Sequence, residues 1–131
     1  MKHVLMLLML THFVMGQTAT THQDAQDIFA GQKACHNEAE KQHKPGVNTV
    51  RNHFDSKTTT CWIRVDESNP KERRMFITVG NAFELQSTAM YIGSLVGEPI
   101  RPGVDTCVVD DIQCHSDEEF FKLLKSHYPG L

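Results

Sequence analysis

Four cysteines, Cys35, Cys61, Cys107 and Cys114, constrain this chain more than any other feature of its sequence. An even cysteine count in a small exported chain reads as a disulfide framework. The opening residues point to export. Lys2 and His3 precede a wholly apolar run from Val4 to Leu10, which continues through Phe13, Val14 and Met15 to Gly16. That is the layout of a signal peptide. Val14 and Gly16 suit the small-residue positions before a cut, so residues 1–16 are expected to be removed and Gln17 to begin the mature chain, with a cut after Ala19 as the second choice. Spanning a bilayer takes about 20 apolar residues, more than this run offers. No stable membrane insertion is expected after cleavage, and the protein is expected in the periplasm or secreted.

Four cysteines allow three pairings. Cys107 with Cys114 is favoured because the two lie close in sequence, with Asp110-Asp111 placed to turn a hairpin between Val108-Val109 and Ile112. Cys35 then pairs with Cys61. In the chain-entropy account a loop of that length is worth about 3–4 kcal/mol. A four-thiolate zinc site needs close ligand pairs such as Cys-x-x-Cys, and none is present. Covalent haem attachment needs Cys-x-x-Cys-His, but Gln32 stands where the first cysteine would before Cys35-His36.

A length of 131 residues accommodates one core, so the expected organisation is a signal peptide over 1–16, a short flexible tail over 17–22 and a single domain over 23–131. Thr21 and Asp24 form a weak capping box for a first helix, in which Ala25, Ile28, Phe29, Gln32, Cys35 and Ala39 recur at helical spacing. The helix should put Ile28, Phe29 and Cys35 toward the core and end before Pro45-Gly46. The period then changes to two over Val47 to Phe54 and Thr58 to Asp66, with Asp55-Ser56-Lys57 as the turn of a hairpin. Cys61, Ile63 and Val65 share one face of the second strand, which makes the bridge to Cys35 geometrically reasonable. A third strand is expected over Arg74 to Val79, with Met75, Ile77 and Val79 alternating. Ala82 to Val96 fits both a helical stripe and a strand through Thr88 to Leu95, and periodicity leaves both open. Ser116 with Glu119 is a full capping box, opening a last helix with Phe120, Phe121, Leu124 and Tyr128 on its apolar side. The expected fold is α+β: an N-terminal helix, a mainly antiparallel sheet of four to five strands, a C-terminal helix and two disulfides.

Cys35, Asn52-His53-Phe54, Cys61-Trp62-Ile63, Ala82-Phe83-Glu84, Cys107, Cys114 and Ser116-Asp117-Glu118-Glu119-Phe120 together resemble a group of small exported bacterial proteins of uncharacterised function. That group carries a Cys, an Asn-His-Tyr segment, a Cys-Phe followed by aliphatics, and two further Cys before an acidic capped helix. The likeness runs from Cys35 to Tyr128 and departs at Phe54 and Trp62, where Tyr and Phe are usual. It implies export, this fold and a strand over Thr88 to Leu95, and it brings no activity with it.

The net charge of -3 gives no positive field for nucleic-acid phosphates, so no nucleic acid is expected as a partner. Gly-x-Ser-x-Gly, phosphate-binding glycine loops and His-Glu-x-x-His are absent, and no enzyme activity or cofactor is expected. His53 with Asp55 and Glu84 is no specific catalytic pattern, and a local hydrogen bond ordering the hairpin accounts for the histidine. His36, Glu40 and His43 recur at helical spacing and form a candidate weak transition-metal site. Trp62, Arg64, Arg74 and Phe76 have the aromatic and arginine composition of a protein-binding face. The expected role is therefore a non-enzymatic binding or accessory protein with a protein partner engaging that face.

Overall fold

The computed structural model describes residues 17–96 and 101–131. The expected signal peptide, residues 1–16, lies outside them. The chain divides between Ala30 and Gly31 into two compact units. The described part of the first is the opening of helix α1, Gln17–Gln42. Residues 17–22, expected as a flexible tail, are helical, in keeping with a stretch that holds neither proline nor glycine. Ile28 and Phe29, expected in the core, are exposed, Phe29 to 68%.

The second unit, Gly31–Leu131, holds the end of α1 and six strands: β1 (Asn48–Asp55), β2 (Thr60–Asn69), β3 (Arg74–Asn81), β4 (Gln86–Val96), β5 (Arg101–Val109) and β6 (Ile112–Gln113), followed by α2 (Asp117–His127). The strands form one antiparallel sheet in the order β1-β2-β3-β4-β5-β6. The fold is thus the expected α+β, with one strand more than expected because two residues after the Asp110-Asp111 turn pair back onto Val108 and Val109. Asp110 and Asp111 adopt φ of 46° and 68°, as a two-residue hairpin turn whose twist suits the strands requires. Ala82 to Val96 resolves into a turn and strand β4.

Register decides which side chains share a face. Arg64 pairs with Val79 and Asp66 with Ile77, so Ile77 and Val79 lie on the side of the sheet opposite Cys61, Ile63 and Val65. Each face therefore needs its own helix. On one, Cys35 and Ala39 of α1 pack with Cys61, Ile63 and Ala82, flanked by Val50, Phe54 and Val65. Gly31 lets the Phe54 ring lie against the helix, since a Cβ there would stand 2.2 Å from that ring. On the other face, Phe120, Leu124 and Tyr128 cover Ile77, Val79, Ala89, Tyr91, Cys107 and Val109. Helix α2 starts at Ser116, whose Oγ accepts from the N–H of Glu119 at 3.1 Å, and the Glu119 carboxylate accepts from the N–H of His115. Both disulfides have the expected pairing, Cys35 with Cys61 and Cys107 with Cys114, across Cα separations of 5.3 and 5.1 Å.

Candidate functional site

The two helices leave the sheet unevenly covered. Within Gly31–Leu131, α1 packs over β1 and β2 on its side, while α2 packs over β3 to β5 on the other. Among the described residues of Gly31–Leu131 no helix covers the α1-side surface of β3 to β5, whose middle holds two cross-strand rungs, Phe76–Ile92–Thr106 and Thr78–Met90–Val108, with Arg74 and Ser94 on the rung beyond. Phe76, Ile92 and Val108 are half-buried, whereas Thr78, Met90 and Thr106 are exposed. None of the six carries a charge, in a chain of which 22% is charged. Charge depletion around half-buried apolar side chains is the composition of an interface centre.

The second rung runs on through Val65 of β2 into a groove of about 200 Å³. Ile63, Val65, Val79, Ala82 and Leu85 line it together with the polar Gln42, Thr78, Asn81, Gln86 and Ser87. Leu85 ends the turn between β3 and β4 with φ of 54°, a left-handed conformation that costs a branched side chain on the order of 1–2 kcal/mol. It is also 89% exposed, and Phe83 in the same turn is 45% exposed. Thr59 and Arg73 take the same left-handed φ, 53°, at the ends of the β1–β2 and β2–β3 turns, so the backbone of Leu85 belongs to the hairpin turn, and the exposure of its apolar side chain is what sets it apart. Sequence reasoning passed over Phe83, Leu85, Met90 and Val108. The available signal was Phe83-Glu84-Leu85, two large apolar residues in a tight turn where polar ones are usual.

The residues singled out in the sequence are distributed differently. Trp62 and Arg64 lie on the α2 side and Arg74 and Phe76 on the α1 side, so the four do not make one face. The Arg64 guanidinium is taken up internally: it donates to both carboxylate oxygens of Asp66, at 2.6 and 2.8 Å, and lies 5.4 Å from the centre of the Phe121 ring. Trp62 packs edge-on against Tyr128. His36, Glu40 and His43 are exposed, and His43 falls beyond the end of α1. Among the described residues no three His, Cys, Asp or Glu side chains converge as a metal site would require. All four cysteines are bonded, which removes a thiol nucleophile. Asp55 is held below the usual carboxylate range, chiefly by the backbone N–H of Lys57, which places it in the hairpin turn. Beside it, the ring of His53 lies under the backbone of Gly130, where a Cβ would stand 2.8 Å from Nδ1.

A second polar cluster sits at the β5–β6 turn. Asp110 accepts from the Tyr128 hydroxyl and contacts His127 Nδ1 at 2.7 Å. Burial, then the bond to Asp110, pushes Tyr128 up to about 12. Burial likewise pushes up Tyr91, the other of the two tyrosines. The folded state thus favours neutral phenols. The stability they contribute is whole below their ordinary value near 10 and drains away as pH rises toward 12. Tyrosinate absorbance should therefore develop only above pH 10, later than in the unfolded chain, and Tyr128→Phe should flatten the alkaline loss of stability.

The fold and its open surface define the class: a small α+β domain with two disulfides, built on a six-strand antiparallel meander with one face half covered. Comparison with models of known families, with curated proteins and with solved structures gave no match. Among the described residues no helix is long and apolar enough to cross a membrane.

Proposed function

We propose that the chain is an exported, non-enzymatic binding protein that works by protein–protein contact through the open half of its sheet, centred on Met90. The observation that carries this reading is the uncharged patch itself: six neighbouring positions on β3 to β5, three of them exposed, with no charged side chain among them. Its exposed members are Met90 and two threonines, and beside them the half-buried Phe76, Ile92 and Val108 form an uncharged apolar centre of the kind a protein partner covers. The two disulfides support an oxidising compartment, in line with the signal-like residues 1–16.

The test is affinity capture from the exported fraction of the host, comparing the wild-type chain with Met90→Glu. Met90 is exposed, so the substitution should leave the fold intact by circular dichroism. A charge at the centre of an apolar contact should weaken it at least about 100-fold, so the expected result is a protein retained by the wild type and lost with Met90→Glu. Retention of the same proteins by both would overturn the proposal.

A further inference from the structure

The two edges of the sheet are built differently. Beyond β5, strand β6 pairs with Val108 and Val109 alone, and the rest of β5 carries Pro102 and a bulge that leaves Asp105 out of the ladder. Proline, a bulge and an inserted charge are devices that keep an edge from pairing with another chain. At the opposite edge, β1 runs for 8 residues in unbroken register with β2 and contains no proline. Among the described residues no strand lies beyond it. The ladder fixes which of its backbone groups face outward. Cys61 of β2 accepts from the N–H of Ala82, at the end of β3, at 2.9 Å. Alternation along β2 then turns the backbone groups of Trp62, Arg64 and Asp66 toward β1, where they meet His53, Arg51 and Thr49. The N–H and C=O groups of Val50, Asn52 and Phe54 therefore point to the open edge, and no described residue bonds to them.

Charge selects what would pair there. Arg51 is exposed, and Arg64 stands directly across the ladder from it. Like charges so placed repel. Both carboxylate oxygens of Asp66 are committed to Arg64, and Asp55, at the end of β1, accepts from the N–H of Lys57 in the turn. Arg51 has no ion pair among the described residues. On the open side it occupies a non-hydrogen-bonded position, where facing Cα atoms approach to about 4.5 Å and side chains lie closest. We infer that the β1 edge takes up an extended segment of a partner protein as an added strand, with Asp or Glu opposite Arg51. Main-chain bonds to Val50, Asn52 and Phe54 give the affinity, and Arg51 gives the selection. The site is separate from the half-face around Met90 on β3 to β5, and its test does not depend on that reading.

Selection from a random octapeptide library displayed on phage, with the purified, disulfide-bonded protein as bait, tests this. Enriched sequences should be rich in β-branched residues and carry Asp or Glu at one fixed position. A synthetic peptide of the commonest sequence should shift the amide NMR signals of Val50, Asn52 and Phe54 most strongly. Asn52→Pro removes the central outward N–H where an edge strand tolerates proline, and should raise the dissociation constant of that peptide at least about tenfold. Arg51→Glu should hold or raise the thermal midpoint, because it sets opposite charges across from each other at Arg64, while it turns the selection from acidic peptides to Lys or Arg. A merely structural arginine would show no such opposition between stability and peptide choice. No enrichment, enrichment without an acid preference, or equal binding to Asn52→Pro and the wild type would overturn the inference. A protein that selects no peptide and sediments as a dimer would put a second copy on the edge in place of the acidic segment.

Discussion

Replacing both Cys35 and Cys61 with serine should lower the unfolding free energy by about 3–4 kcal/mol, measured by urea denaturation with the Cys107–Cys114 bridge intact. The bridge spans a sequence separation of 26 and ties α1 to β2. Two contributions add at this point. Opening the loop returns conformational entropy to the unfolded chain, and the cluster around it is small: Cys35, Ala39, Cys61, Ile63 and Ala82 are its buried members. Only two of those, Cys35 and Ala39, come from the helix, so little apolar area remains to hold Gly31–Gln42 on the sheet once the sulfurs part. Hydrogen exchange should accordingly show residues 31–42 losing protection before β3 and β4. Uniform loss across the sheet would mean that the helix end is held by something other than the bridge.

Phe120→Ala should be comparably severe, at about 3–5 kcal/mol. Phe120 is fully buried, with its ring 5.1 Å from that of Tyr91, and it sits in the α2 layer over Ile77, Val79 and Ala89. Truncation leaves a cavity at the centre of the larger cluster, where surrounding strands cannot close in. Thermal unfolding monitored through the single Trp62, which touches Tyr128 of the same layer, reads this directly. A loss below about 1 kcal/mol would show that the sheet carries this face without the helix.

Sequence was most informative where local chemistry decides the outcome. The Cys107–Cys114 hairpin was legible because Asp110-Asp111 suits its turn, and α2 because Ser116 and Glu119 announce a helix start whose apolar side follows at once. Parity between strands was not legible. The alternation of Cys61, Ile63 and Val65 and that of Met75, Ile77 and Val79 are each plain, but whether the two sets share a face depends on the register across the Pro70–Arg73 turn, where Arg73 takes φ of 53°. The register sets them on opposite faces, which separates Trp62 and Arg64 from Arg74 and Phe76. The candidate binding surface went unseen for the same reason, since its six residues come from three strands and adjoin only once the register is known. Residues 17–30 carry too weak an apolar stripe to mark where α1 begins.

The strictly sequential strand order has a consequence for how the molecule comes together. Every strand pairs with the one made just before it, so no pairing waits on a distant part of the chain. Cys35 finds Cys61 once the first hairpin has closed, and each later strand is laid down on a finished edge. Such topologies have low contact order and assemble quickly for their size. The order also suits a polypeptide that emerges end-first through a narrow channel: only α2, the last element to arrive, must travel back across strands already in place, and until it does, Tyr91 and its neighbours stay wet.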